Sequence, residues 1–282
     1  MRVLSASATE VDAARYVAGA NAAFGEWGDE ETFDWAFRQT PGGRPPADIL
    51  FVEAAGRVVA GSAIVHRAVR GPTGEARPAA IIAGSWTLPE ARGAGAFMRV
   101  ACATADVARS RGAIFLGFLR AENGSRRRLE AIGAGMHPAA YGRSSGAAPP
   151  ARPPVLETLD PEPDLFPPEE GTAFAYDAAA WRHQFLGRPG AHVECVGRRG
   201  EWAALVETRG GVDQVHLLSG DGALSPLLAR AAAAGRRLFC YATAAPRIAA
   251  LRALGFEIGE GLVAALPPPA VTDWSFQNGD RM

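Results

Sequence analysis

Lysine is absent from this 282-residue chain, and all 29 of its basic residues are arginine. A lysine that forms a Schiff base, or that reaches the phosphates in a P-loop, is therefore excluded. Cysteine is scarce: the sequence has three, at Cys102, Cys195 and Cys240, and they lie far apart in the chain. No disulfide framework is expected from that number and spacing.

Strong net charge and long apolar runs are missing as well. The formal net charge is −1, so no long-range field favours nucleic acid or anionic lipid. No stretch approaches the roughly 20 apolar residues of a membrane span, and the first residues, MRVLSASATEVDAARY, do not read as a signal peptide. We expect a cytoplasmic protein with neither a nucleic-acid nor a membrane partner.

Proline is concentrated in one segment. Residues 144–171 hold eight of the 21 prolines and show no periodic apolar pattern, which is typical of an extended, semi-rigid connector. At about 150 residues per domain, the chain has the length of two domains. We therefore expect one domain over 1–143, a linker over 144–171, and a second domain over 172–282 that ends in a C-terminal strand.

The two halves read as distant copies. A tryptophan-containing helix precedes two apolar runs around a glycine turn in each half, as in EETFDWAFRQTPGG and YDAAAWRHQFLGRPG, and a strand, helix, strand and helix follow. Duplication and convergent patterning both account for this order. Alternation of this kind predicts a mixed α/β sheet with helices on both faces. In the first half we expect strands at 2–4, 49–54, 58–67, 79–87 and 113–118 and helices at 10–24, 29–39, 95–111 and 124–133.

The segment 79–112 carries the clearest chemical signal. A buried strand ending at Trp86 leads through Pro89 into the loop Arg-Gly-Ala-Gly-Ala at 92–96, and a long alanine-rich helix follows. A glycine-rich turn at a helix start presents unpaired N–H groups and the positive end of the helix dipole, which suits a pyrophosphate. An ordinary strand-to-helix turn is the alternative. Met98 stands where a dinucleotide fold requires its third glycine, so that class is excluded.

This segment resembles motif A of the GNAT superfamily of acyl-CoA N-acyltransferases. The matching residues are Thr87-Leu88-Pro89-Glu90-Ala91-Arg92-Gly93-Ala94-Gly95-Ala96-Phe97, in which Phe97 replaces the usual glycine or alanine. The resemblance continues into Glu122-Asn123-Gly124-Ser125 and Leu129-Glu130-Ala131-Ile132-Gly133. It implies two tandem GNAT-like domains, each a mixed, mostly antiparallel sheet flanked by helices. The ending DWSFQNGDRM is similar to that of bacterial tandem GNAT-like proteins that acylate amino sugars.

The resemblance implies acetyl-CoA or another acyl-CoA as cofactor and a small-molecule amine as acceptor. Ser85 and Thr87 would offer backbone groups to the acyl carbonyl and the pantetheine arm, and Asn123 would contact the pantetheine or adenylate side. The tyrosine that usually serves as general acid falls on Leu129. The pyrophosphate would be held by the N–H groups of the loop: Arg92, Gly93, Ala94, Gly95, Ala96 and Phe97.

Several side chains are candidates for the proton transfers that acyl transfer to an amine requires. Tyr141 or His137 would assist departure of the thiolate, although Tyr141 also fits a half-buried strand aromatic. Glu90, just before the loop, is a candidate base, although a charged loop residue is more often simply solvated. His66 ends a strand pattern and reads as a surface histidine. The five histidines lack metal-ligand spacing, so a metal is not expected.

The second half lacks the anion-binding loop. Its equivalent, 219–225, places Asp221 where a phosphate would lie, so we expect this half to have lost CoA binding and to form a scaffold and acceptor wall. The tail predicts either a last strand or a wall of a cleft between the halves, in which Trp274, Asp273 and Asp280 hold a polar amine such as an amino sugar. A non-catalytic protein that binds a ligand or partner is the competing hypothesis. Transfer from tRNA is disfavoured by the neutral charge.

Overall fold

The computed structural model describes residues 1–145, 155–167, 170–267 and 273–281. The predicted linker, 144–171, therefore lies partly outside the described residues. The chain divides into two compact units. The first comprises Met1–Arg70, Gly74–Met136 and Val263–Ala270, and the second comprises Gly71–Thr73, His137–Leu262 and Val271–Met282. The boundary thus falls before the proline-rich segment, and the end of the last strand returns to the first unit.

The first unit alternates strands and helices. Its elements are β1 (Arg2–Ser7), α1 (Ala13–Phe24), α2 (Glu30–Phe33), β2 (Asp48–Ala54), β3 (Arg57–Arg70), β4 (Ala76–Thr87), α3 (Ala96–Ser110), β5 (Ile114–Arg120) and α4 (Arg126–Ala131). These match the expected strands and helices within a few residues. The predicted helix 29–39 is present but changes character, because α2 continues as a π-helical turn over Asp34–Arg38.

The second unit repeats much of this order. Its elements are β6 (Gly135–Ser144), β7 (Glu157–Thr158), β8 (Ala173–Ala175), α5 (Ala178–Leu186), β9 (Val193–Arg198), β10 (Trp202–Arg209), β11 (Val212–Leu218), α6 (Leu224–Ala233), β12 (Arg237–Ala242), α7 (Ala245–Ala253) and β13 (Phe256–Leu266). The first two residues of β6 and the last four of β13 belong to the first unit.

Each unit builds its sheet from the same pairings. In the first, β1, β2, β3 and β4 are antiparallel neighbours, and β4 is parallel to β5. In the second, β9, β10 and β11 are antiparallel neighbours, and β11 is parallel to β12. The predicted mixed α/β fold is confirmed. Among the described residues, no helix combines the length and apolarity that crossing a membrane would require.

The core of the first unit is aromatic. The fully buried Tyr16 ring contacts Phe33, Phe37 and Trp86 at centroid distances of 5.3–6.1 Å. Gly61 lies so close to Trp86 that an added methyl group would overlap the indole. This packing fixes the end of β4, where the loop toward α3 begins. The thiols of all three cysteines are free.

Candidate functional site

A split between two parallel strands creates a cleft in the first unit. β4 and β5 pair from Ala79–Ile114 to Ile81–Leu116, and the described pairing stops there. Both strands nevertheless continue, to Thr87 and to Arg120. Their carboxyl-terminal ends therefore carry backbone groups that do not pair with each other, and the space between them is available to a ligand.

A bulge in β4 shapes one wall of this cleft. The register with β3 shifts between Gly61, opposite Trp86, and Ala63, opposite Ala83, so β4 carries one extra residue. Gly84 in the bulge has φ +53°, and a side chain there would also collide with the Tyr16 hydroxyl. The neighbouring Ser85 hydroxyl lies 2.7 Å from that of Ser62 on β3.

The cleft has a volume of about 450 Å³. It is bounded by the ends of β4 and β5, the loop and first turn of α3, and the loop that leads to α4. Its apolar lining includes Ile82, Phe97, Phe118 and the buried Leu129. The complete lining is Phe24, Ile82, Gly84, Ser85, Thr87, Ala91, Arg92, Gly93, Ala96, Phe97, Gly117, Phe118, Leu119, Asn123, Gly124, Ser125, Arg128 and Leu129.

One end of the cleft is suited to an anion. Gly95 caps α3 in the left-handed conformation, with φ +87°, and provides no side-chain cap. The first N–H groups of the helix therefore have no intrahelical partner, and its first turn contains no acidic residue. Arg92 is held over the loop, with Nη2 3.3 Å from the Ala23 carbonyl oxygen and Nε 3.4 Å from that of Thr87. N–H groups, the helix dipole and a guanidinium thus act together.

Most of the predicted cofactor residues meet at this cleft. Ser85, Thr87, Arg92, Gly93, Ala96, Phe97 and Asn123 line it, while Ala94 and Gly95 stand in the same loop. The Asn123 side chain accepts a 2.9 Å hydrogen bond from the Ser125 N–H, which fixes the turn before α4. Arg128 also lines the cleft, although the sequence argument did not single it out. The run of three arginines at 126–128 is the sequence feature that could have pointed to Arg128.

The predicted catalytic residues are dispersed. Glu90 is exposed in the short turn before the loop and lies 3.6 Å from Arg57. It does not line the cleft, although its neighbour Ala91 does. Tyr141 lies on β6 in the second unit, where the Arg281 guanidinium stacks over its ring at 4.7 Å. Among the described residues of the cleft wall there is no carboxylate, imidazole, thiol or phenol.

Asp280 is buried in the second unit, and its carboxylate is occupied. Its two oxygens accept hydrogen bonds from the Tyr176 hydroxyl at 2.9 Å and from the Gln277 N–H at 2.7 Å. Trp274 is also buried. The Trp274 ring and the Asp280 carboxylate are therefore enclosed in the unit's interior, whereas Asp273 is exposed. The structure does not bring the three expected acceptor residues onto one surface, which removes the main argument for a sugar.

The two remaining histidine candidates, His66 and His137, are both buried, so the expectation of a surface position for His66 is wrong. His66 Nε2 lies 3.0 Å from the Asp48 carboxylate, and burial together with the Arg111 charge holds its pKa below the usual range. His137 lies edge-on to Trp274, with ring centroids 5.7 Å apart, and burial lowers its pKa. Neither lines the cleft. Within the described ranges, no three histidine, cysteine or acidic side chains are grouped to hold a metal.

The second unit has the same strand split, but its own tail fills it. The described pairing of β11 with β12 stops at Val215–Cys240. Beyond that point, Gln277 forms a bridge with Ala242 at the end of β12, and its side-chain amide donates to the Leu218 carbonyl at 3.3 Å. The tail thus occupies the space that corresponds to the cleft of the first unit.

Further hydrogen bonds hold the tail in this position. The Thr243 hydroxyl donates to the Trp274 carbonyl at 2.7 Å and accepts from the Phe276 N–H at 2.8 Å. The Asn278 amide lies 3.2 Å from Nδ1 of the buried His216. Instead of the expected continuous strand, the tail makes isolated bridges and then a 3₁₀ turn over Asn278–Arg281.

A buried ionic pair lies beneath the tail. His216 Nε2 is 2.8 Å from the Glu207 carboxylate, which also pairs with Arg188 at 3.1 Å. The hydrogen bond from His216, followed by the Arg188 charge, lowers the pKa of Glu207 against the opposing effect of burial. Because this cluster is enclosed by β10, β11 and the tail, its role in the fold is structural.

Comparison with solved structures identifies the fold. The chain is similar to a tandem GNAT protein from the clavulanic acid biosynthesis pathway, with a TM-score of 0.60 and 17% identity over 97% of this chain and 99% of that one. A GCN5-related N-acetyltransferase from Anabaena variabilis gives a TM-score of 0.60 at 14% identity, over 93% of this chain and 72% of that one. The N-myristoyltransferase of Saccharomyces cerevisiae, solved with myristoyl-CoA, gives 0.64 at 11% identity, over 93% and 80%.

At sequence identities of 11–17%, these similarities establish the fold alone. The chain therefore has the GNAT fold, and its match along nearly the whole tandem GNAT protein agrees with the repeated element order of the two units. No protein-family model and no curated protein sequence matches the chain.

Proposed function

We propose that this protein is an acyl-CoA-dependent N-acyltransferase whose CoA site is the cleft of the first unit. The observation that carries the proposal is the coincidence of two features in one cleft: the split between β4 and β5, and the anion-binding start of α3 with Arg92. The similarity to a GCN5-related N-acetyltransferase and to an N-myristoyltransferase solved with myristoyl-CoA supports an acyl-CoA ligand.

The chain's residues fit CoA along the length of the cleft. The loop from Arg92 to Phe97 is assigned to the pyrophosphate, because its N–H groups and guanidinium are uncompensated by any acidic residue in the first turn. The pantetheine arm is assigned to the space between the strand ends, beside Ser85 and Thr87, with Asn123 on the opposite side. In the second unit the corresponding space is occupied by the tail, so we assign CoA to the first unit alone.

Acyl transfer to an amine requires a neutral amine, a polarised carbonyl and departure of the thiolate. Bound acyl-CoA supplies the activated acyl group. The strand edge at Ser85 is assigned to orient and polarise the carbonyl, since β4 no longer pairs with β5 at this point. Leu129 stands in place of the usual acid, and no side chain of the described cleft wall can give the leaving thiolate a proton, so we assign that proton to water.

Glu90 remains our candidate base because it adjoins the cleft-lining Ala91. Tyr141 and Asp280, in the second unit, stay predictions from the sequence. We propose a small polar primary amine as the acceptor, with amino sugars, amino acids and polyamines as the classes to compare.

A turnover screen tests the proposal. Acetyl-CoA and longer acyl-CoAs are offered with each acceptor class, and release of the free thiol is followed alongside amide formation. CoA-dependent stabilisation is measured in parallel, since ligand at 100 times Kd adds about 2.7 kcal/mol. Thiol release that requires an amine supports the enzyme. Stabilisation without amide formation in any arm would instead favour the non-catalytic ligand-binding protein, and loss of both would contradict the CoA assignment.

A further inference from the structure

A second hollow adjoins the cleft at the start of α4. It has a volume of about 730 Å³ and shares Asn123, Gly124 and Arg128 with the cleft. Arg126 and Arg127 complete a run of three consecutive guanidinium groups along its wall. The two spaces therefore share one rim, and a ligand long enough to leave the cleft at Asn123 enters the hollow.

The charges in this hollow are unequally compensated. Arg126 pairs with Glu130 at 2.9 Å, and Arg120 lies 3.8 Å from Glu122. In the described part of the chain, neither Arg127 nor Arg128 has a carboxylate within ion-pair distance. Among the described residues, Arg127 and Arg128 thus stand without an ion-pair partner, in a hollow whose wall also holds Glu122 and Glu130, each next to another arginine.

We propose that Arg127 and Arg128 bind the 3′-phosphate of CoA, so that the first unit distinguishes CoA from dephospho-CoA. This inference rests on the proposed function. CoA carries two separate anionic groups, the pyrophosphate and the phosphate monoester on its ribose. The start of α3 is assigned to the pyrophosphate, and the hollow supplies guanidinium donors for the monoester.

The chemistry of the phosphate monoester and of the guanidinium group supports this assignment. A phosphate monoester carries nearly two negative charges at neutral pH and presents three acceptor oxygens. The planar guanidinium donates to such oxygens through two parallel N–H groups. Because Arg127 is exposed and Arg128 is only partly buried, the interaction is screened by salt.

The test is a calorimetric titration of the full chain with CoA and with dephospho-CoA, which differ only in the 3′-phosphate. The variants are Arg127→Gln, Arg128→Gln and the double variant. Arg109→Gln on α3, which removes an exposed arginine paired with Asp106, is the matched control. An exposed ion pair between one of these arginines and the 3′-phosphate should change CoA affinity by up to about fivefold.

We expect the wild type to bind CoA several-fold more tightly than dephospho-CoA. The double variant should bind CoA as weakly as dephospho-CoA while its affinity for dephospho-CoA stays at the wild-type value, and Arg109→Gln should change neither. Equal wild-type affinity for the two ligands would overturn the inference and leave the CoA site standing, as would equal losses for both ligands in the arginine variants. Failure of the wild type to bind either ligand would overturn the CoA site as well.

Discussion

The hydroxyl of Tyr16 donates a 2.7 Å hydrogen bond to the carbonyl oxygen of Gly84. Tyr16 is fully buried in the aromatic core of the first unit, whereas Gly84 lines the cleft. The bond therefore couples the core directly to the bulge that shapes the proposed acyl-binding edge of β4. Burial of the ring raises the pKa of Tyr16 far above its usual range, so the hydroxyl remains a donor at all physiological pH values.

Tyr16→Phe should lower both stability and ligand affinity. Loss of the hydroxyl removes a partly buried hydrogen bond to the Gly84 carbonyl, and such a bond contributes about 0.5–1.5 kcal/mol. Urea unfolding should show this loss, and CoA titration should show weaker binding because the bulge loses its anchor. An unchanged urea midpoint would mean that the hydrogen bond does not hold the bulge.

Ala94→Glu should separate binding from folding. Ala94 is exposed in the loop before α3, so a side chain is tolerated there, whereas Gly95 is in the left-handed region and admits none without strain. A carboxylate near the helix start adds roughly 0.3–1 kcal/mol of stability but repels the pyrophosphate. We expect an equal or higher melting temperature and at least about tenfold weaker CoA binding.

The matched control for this prediction is Ala94→Gln, which has the same size without the charge. It should bind CoA close to the wild-type value. Similar losses in Ala94→Glu and Ala94→Gln would indicate a steric effect and would argue against a pyrophosphate at this loop.

Thr243→Val should loosen the tail of the second unit. The hydroxyl serves the Trp274 carbonyl and the Phe276 N–H, and its removal leaves two buried backbone groups without this partner. We expect a loss of about 1–3 kcal/mol in the free energy of unfolding, measured with urea. Thr243→Ser keeps the hydroxyl and should retain most of the stability; an unchanged urea midpoint in Thr243→Val would show that the hydroxyl does not hold the tail.

The buried His137 should make the protein less stable in mild acid. Burial lowers the pKa of His137 below the ordinary histidine value of 6.5, so the unfolded state binds the proton more readily than the folded state. The stability contributed by the neutral ring is thus present above pH 6.5 and is lost as pH falls through the folded pKa.

The urea midpoint of the wild type should drop between pH 7.5 and pH 5.5, and the drop should be smaller in His137→Gln. His66, whose pKa is also lowered, acts in the same direction and remains in both proteins. Parallel drops in the two proteins would contradict the assignment to His137.

Much of the first unit could be predicted from local sequence. The loop after Pro89 has glycines at the helix start, and a glycine cap leaves the first N–H groups of the helix without a side-chain partner. The alternation of apolar runs and glycine turns likewise located the strands. The bulge at Gly84 was not predicted, because it depends on the register with β3 and on the distant Tyr16.

The tail of the second unit also shows where prediction from local sequence fails. Trp274 and Phe276 alternate as in a strand, and local pattern alone predicts one. The structure places these residues in the split of the second unit, where Thr243, Gln184 and His216 meet the tail through side chains. Because those partners are remote in sequence, the alternation could not reveal them. Arg128 was missed for a related reason, since its place at the cleft follows from the fold of the preceding turn.

The most direct test of the account is a titration of the full chain with CoA, followed through the backbone amide resonances of the protein. The amides from Gly93 to Phe97, together with Ser85 and Asn123, should shift and saturate at one common Kd, while those of 219–225 in the second unit stay in place. Saturable shifts confined to 219–225, or no saturable shift in either loop at millimolar CoA, would contradict the assignment of the first unit's cleft as the acyl-CoA site.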